Sequence, residues 1–310
     1  MTQSAKYGQL LQDLRSEYRP QRDWGEGRGI FLVIGHFVVG VAAGTWLFSL
    51  YFGYSEGLLV SLVLAGIGGL AHLKFLGRPE RFWRMASQVK TSWISRGFIG
   101  LNAFLIGAVL YLVPSVFPGM LWSGASVLAD LGYGLAMIGM LVMMGYMGFC
   151  YTASKAIPFW HSPLHPLLYV AYALRGGVGA LLITHWALGR PAEGASVLLP
   201  WWAGITAVVV LFFLLEIHAA VTGGNEAARR SVRDLFSGRV ALYFYVGTLV
   251  LGLVVPAFLS YIGMSGPISL GTMAVIGVAS VIGDFFMKFS TVRAGVHLPS
   301  WTQLTLQRRR

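Results

Sequence analysis

Eight long apolar runs, each parted from the next by a short polar stretch, constrain this chain more than any other feature. They cover approximately residues 29–52, 57–76, 94–117, 122–153, 167–188, 198–222, 240–262 and 268–289. A helix rising 1.5 Å per residue needs about 20 apolar residues to cross a hydrocarbon core of ~30 Å. Every run meets that length. The fourth exceeds it, which predicts tilting or extension beyond the bilayer. Membrane strands are a poor alternative, because the runs lack two-residue alternation and carry Gly and Ala throughout. The expected fold is all-α: a polytopic membrane domain of eight transmembrane helices over 29–290, arranged as two four-helix bundles. An amphipathic segment, 1–28, precedes it and a basic tail, 291–310, follows.

Composition excludes the soluble classes. Only 11% of the 310 residues are charged, less than half the roughly 25% of a soluble domain. The net charge of +11 does not call for nucleic acid, because the basic residues sit in short loops beside apolar spans, the usual bias of membrane proteins. Cys150, the single cysteine, cannot supply the roughly four thiolates of an iron–sulfur cluster, so any cluster belongs to a partner. The first 29 residues lack the apolar core of a signal peptide.

Lys and Arg set the expected orientation. The N-terminal segment carries Lys6, Arg15, Arg19, Arg22 and Arg28, and the loop after the second run carries Lys74, Arg78, Arg81, Arg84, Lys90 and Arg96. Lys155, Arg229, Arg230, Arg233, Arg239, Lys288, Arg293, Arg308, Arg309 and Arg310 fall on the same side, and the opposite loops hold only Arg190. This places both termini in the cytoplasm, with the chain in the cytoplasmic (inner) membrane. Residues 5–18 space Tyr7, Leu10, Leu11, Leu14 and Tyr18 helically, as in a helix lying on the membrane surface or on a partner. Seven of the ten tryptophans, Trp24, Trp93, Trp122, Trp160, Trp186, Trp201 and Trp202, fall near span ends, where indoles prefer the interface.

Ionisable groups inside spans are costly and therefore candidates for function. His36 lies about two turns into the first run; His72 ends the second; Glu216 and His218 end the sixth. Asp284 and Lys288 are one turn apart in the eighth, Arg175 is near the middle of the fifth, and Asp130 and Tyr133 lie in the outer half of the fourth. Each is as compatible with an interhelical hydrogen bond as with chemistry, but together they describe a polar interior weighted toward one face, the makings of a proton path. Two roles compete for the histidines: axial ligation of a b-type haem, which needs paired imidazoles, and hydrogen bonding to a quinone carbonyl, which uses His and Tyr. A secondary transporter with midplane charges is a third alternative.

The stretches "HLKFLGRPERFW", "TSWISRG" and "YTASKAIPFWHSPLHPLLY" resemble the NrfD-type membrane subunits of polysulfide-reductase-like complexes, in the family's order and over nearly the whole chain. The resemblance implies a haem-free anchor for an iron–sulfur subunit and a molybdenum- or tungsten-pterin catalytic subunit. It also implies electron exchange with ubiquinone or menaquinone, and sites at His36 and Tyr151, with His72 and Arg78 beside them. A family Asn one turn before the first histidine falls at Val33 here, so that polar contact is missing. Many members carry their catalytic subunits outside, whereas the Lys and Arg distribution here places them inside.

The loop between the second and third runs then acquires a purpose. Arg78, Arg81, Trp83, Arg84, Trp93 and Arg96 are suited to dock the iron–sulfur subunit near the quinone, since the guanidinium fork binds carboxylates bidentately and stacks on rings. Contact with anionic lipid is the other use of such a loop.

Overall fold

A computed structural model describes residues 3–117, 119, 122–263 and 267–299. The end of the basic tail, including Arg308, Arg309 and Arg310, lies outside the described residues. Among those described, eight helices are long and apolar enough to cross a membrane: Gly29–Phe52, Ser55–Phe75, Trp93–Val116, Val127–Thr152, His165–Ala187, Ala192–Thr222, Tyr243–Ile262 and Leu270–Arg293. They are called the first to eighth spans below.

Local chemistry sets their ends. Gly53, at φ 70°, adopts the left-handed conformation that closes the first span, its amide donating to the Leu50 carbonyl and that of Tyr54 to Ser49. The hydroxyls of Ser92, Ser126 and Ser269 accept the amides of Ser95, Ala129 and Thr272 and so cap the third, fourth and eighth spans. After Phe75 the chain turns extended at Leu76, and Pro79 opens a 3₁₀ segment, Pro79–Gln88. The over-long fourth run resolves into a helix of ordinary length starting at Val127. Its first residues fold back instead, with the Trp122 indole donating to the Leu110 carbonyl at 3.0 Å. The seventh span is a π-helix over Tyr243–Val254 that passes into an α-helix, Val255–Ile262.

Spans one to four form one bundle and spans five to eight a second, joined where the first span crosses the fifth. A Cβ on Gly44 would lie 1.9 Å from the carbonyl oxygen of Ala173, so the two backbones touch, as small residues permit between membrane helices. These two spans are the most buried. The others turn Leu70, Leu141, Leu214 and Phe258 outward, toward lipid.

Within each bundle one adjacent pair stands apart. The second and third spans pack sparsely, and the sixth and seventh keep their backbones apart, meeting through side chains such as Phe213 and Phe244. At the end bearing the N-terminus, short segments cover the bundle. The amide of Gln21 donates to Gly295 (2.7 Å) and that of His297 to Arg19 (2.8 Å). Arg293 reaches Glu26 at 2.5 Å, and the amide of Val296 meets the Ser231 hydroxyl of the helix Glu226–Ser237 at 3.0 Å. Burial, and after it Arg19, holds the His297 imidazole below its ordinary pKa, with Asp23 acting in the opposite direction.

Candidate functional site

His36 and His72, from the first two spans, meet near this covered end with ring centroids 5.0 Å apart. Gly35 makes the approach possible, because a Cβ there would stand 2.6 Å from the Nδ1 of His72. The Nδ1 of His72 lies 2.7 Å from the carbonyl of Gly68 and therefore carries the proton. Its Nε2 is left to accept from the Tyr146 hydroxyl, 3.2 Å away. Gly97 in turn makes room for the tyrosine, since a Cβ there would fall 2.1 Å from its ring. His36 is 3% exposed, and its Nδ1 has no hydrogen-bond partner. Buried polar atoms are almost always bonded, so such an orphan marks a place for a ligand or water.

These side chains end a cavity of about 460 Å³ lying among the first four spans. Its walls are almost wholly apolar, from Leu70 and Leu73 of the second span to Leu101 and Leu105 of the third, with Phe82 and Met85 of the 3₁₀ segment over one end. The sparse packing of the second and third spans aligns the cavity with lipid. An apolar slot with a few convergent polar groups is the usual form of a small-molecule site.

Tyr151 does not line the cavity. It is fully buried behind His36, with centroids 6.2 Å apart, and is enclosed by Trp24, Trp160, His165 and Tyr169. Trp24 stacks on Trp160 at 5.3 Å and reaches the cavity wall, so the covering strap forms part of the site. His165 pairs through Nδ1 with Glu216, and both are buried. Lys288 sends its ammonium to the carbonyl of His36 (3.3 Å) and over the ring of Tyr169 (4.6 Å).

The other intramembrane charges divide. Arg175 pairs with Asp284 deep in the second bundle. Asp130 and His218 are exposed on the outside of the fourth and sixth spans and join no interior group. The rings of His36 and His72 are in mutual contact, whereas axial imidazoles of a haem stand on opposite sides of the macrocycle.

In the basic loop the residues expected to act together do different work. Arg78, Arg81, Trp83 and Arg84 are exposed, with Arg84 over the Trp83 ring, and Arg78 lies outside the cavity lining. Trp93 and Arg96 instead anchor the loop. Trp93 stacks on Phe149 at 4.4 Å, and Arg96 covers Trp93 while donating to the carbonyls of Val89 and Lys90.

Sequence reasoning missed Tyr146 and His165. Tyr146 lay in plain view in "GYMGFCY", and the Gly97 facing it carries no sequence signal of its own. His165 was hidden by a boundary, because the fifth span starts two residues earlier than its apolar run. With Pro166 in the first turn, the histidine becomes a buried helical residue.

An eight-span helical membrane protein with this chemistry is most informative when set beside its relatives. The family described as "Polysulphide reductase, NrfD" matches residues 27–299. The chain belongs to that family. It is 26% identical to Protein NrfD of Escherichia coli over 295 residues, covering 84% of this chain and 92% of the relative. It is 27% identical to the C subunit of sulfite dehydrogenase from Allochromatium vinosum (80% and 82% covered). With the C chain of polysulfide reductase from Wolinella succinogenes the identity is 26% (66% and 69% covered).

Proposed function

We propose that this chain is the quinone-reactive membrane subunit of a respiratory oxidoreductase complex. The reading rests on one observation: a lipid-aligned apolar cavity ends in His36, His72 and Tyr146 directly beneath an exposed basic surface. Apolar walls suit an isoprenoid chain, and the histidines and tyrosine suit a carbonyl headgroup, whether ubiquinone or menaquinone. The orphaned Nδ1 of His36 is a further sign of fit.

Bound quinone supplies the two-electron, two-proton chemistry, and the protein supplies binding and protons. Tyr146 holds a hydroxyl proton against the Nε2 of His72 at 3.2 Å. By rotating, that hydroxyl can donate to a headgroup oxygen, while His72 stays fixed by Gly68. His36 offers the second contact. Lys288 stands behind it, its Nζ donating to the His36 carbonyl and so holding that turn of the first span in place. Proton exchange with the aqueous face runs past Tyr151 and the His165–Glu216 pair, buried polar groups that reach the covered end of the bundle.

Electrons pass to or from an iron–sulfur subunit docked on Arg78, Arg81, Trp83 and Arg84, behind which stands a molybdenum- or tungsten-pterin catalytic subunit. Relatives named as one lettered component of a reductase and of a dehydrogenase support a multi-subunit assembly. The clustered Lys and Arg favour the cytoplasmic side for this face. Two variants test the reading. His36→Ala and His72→Ala should each lower quinone-linked turnover of the whole complex about tenfold or more, the loss expected of one hydrogen bond in a desolvated site. Dye-linked activity of the soluble subunits should persist. Unchanged quinone kinetics in both variants would overturn the site.

A further inference from the structure

The second bundle contains its own cavity, of about 290 Å³, among spans five to eight. Its walls are chiefly apolar, and its polar groups are Tyr172, Arg175, Thr206, Thr248 and Asp284. A count of hydrogen bonds shows what is missing. The Arg175 guanidinium is paired in charge with Asp284 and donates from each of its three nitrogens, to Asp284, to the Thr206 hydroxyl (2.8 Å) and to the carbonyl of Gly252 (2.6 Å). Thr206 passes its own proton to Trp202 at 2.7 Å. Two buried atoms of residues that line the cavity are left without partners: Oδ2 of Asp284, a residue 2% exposed, and the Thr248 hydroxyl. With the arginine charge neutralised by Asp284, the site calls for no anion. It calls for a neutral group that donates a hydrogen bond.

Depth and access narrow the choice. Arg175 lies ten residues inside the fifth span and Asp284 nine residues from the end of the eighth, so both sit about 13–15 Å from the covered face of a ~30 Å core. Phospholipid headgroups do not dwell at that depth, because burying them without partners is costly. A small phenolic head on an isoprenoid tail does. The route in is lateral, since the backbones of the sixth and seventh spans stand apart and the seventh is π-helical beside the cavity. The arrangement repeats that of the first bundle, where the cavity also lies against a loosely packed pair. Tyr172 is the eighth residue of its span, as His36 is of its own.

We propose that this second cavity binds an isoprenoid quinol at the membrane midplane, its hydroxyl donating to Asp284 Oδ2 while its oxygen accepts from the Thr248 hydroxyl. The choice of quinol rests on the proposed function; the unfilled acceptor and its depth do not. The purified complex, reconstituted in phospholipid, is photolabelled with an azido-quinone bearing an isoprenoid tail, and labelled peptides are mapped. Label should appear both near His72 and in 243–254, and excess quinol should suppress it at both. Thr248→Val, which leaves the ion pair intact, should weaken labelling of the second site roughly tenfold, and Val210→Phe should abolish it by filling the cavity. Neither change should alter labelling at the first site. Label near His72 alone, or second-site label displaced by phospholipid and not by quinol, overturns this proposal and spares the first. Label at neither cavity overturns the quinone reading itself.

Discussion

The hydroxyl of Tyr146 offers the sharpest test of the proposed site, because its removal changes one atom. In Tyr146→Phe the ring still packs against Gly97 and no cavity opens, so the change acts only through the hydrogen bond to His72 at 3.2 Å. A neutral hydrogen bond contributes about 1 kcal/mol to folding, which in a membrane domain of this size should leave the protein assembled. At the headgroup the same hydroxyl is a donor in a desolvated slot, where its loss costs ~1–3 kcal/mol, or about five- to 150-fold in quinone-linked kcat/KM. Gly97→Ala should act in the same direction without touching any polar atom, since its Cβ would fall 2.1 Å from the Tyr146 ring and drive it aside. Tyr151→Phe, behind the cavity wall, should affect proton delivery more than quinone affinity and so move kcat more than KM. The assay is quinol-coupled turnover of the membrane complex, read beside dye-linked turnover of its soluble subunits. Wild-type quinone kinetics in both Tyr146→Phe and Gly97→Ala would refute the assignment of the headgroup to this end of the cavity.

Exchanging Arg78 and Arg81 for Gln should release the iron–sulfur partner during a high-salt wash, because rim charges are screened; retention of the soluble subunits would remove the docking role. Glu216→Leu leaves the buried His165 without its acceptor and should cost about 1–3 kcal/mol of stability, seen as a lower thermal midpoint, whereas Glu216→Gln should recover most of it. His297 has a folded pKa below its unfolded value, so its contribution is present at neutral pH and is lost as pH falls below the unfolded value of ~6.5. The thermal midpoint should drop on acidification, and drop less in His297→Gln. A single cysteine at the exposed Ser87, on a Cys150→Ala background, should react with an impermeant thiol reagent only after cells are opened; labelling of intact cells would reverse the orientation.

The eight spans were legible because an apolar run has one solution in hydrocarbon: backbone groups must be satisfied within the segment. Departures came where a polar residue continued a helix or an apolar one left it. His165 was hidden by the first cause, and the fold-back of Trp122 onto Leu110 was hidden by the second. His36 and His72 were legible as costly residues in spans, but their partnership was not, since it depends on Gly35 and Gly68 of facing helices. Arg96 illustrates the limit for charge: its side chain binds its own loop, which counting cations cannot distinguish from arginines left free for a partner.

The strap over the site joins segments that precede the first span and follow the eighth. Pro20 pairs with Val296, Arg19 receives His297, and Trp24 closes over Tyr151 beside Trp160. Trp160 in turn donates to the Thr291 carbonyl at 3.2 Å. The roof of the site can therefore be completed only after all eight spans have been synthesised. Until residues 291–298 emerge, the N-terminal strap has nothing to latch to, and the surface beside the basic loop is unfinished. A partner that recognises this surface would reject truncated or half-inserted chains without any separate inspection, and redox assembly would begin only on a membrane domain already whole.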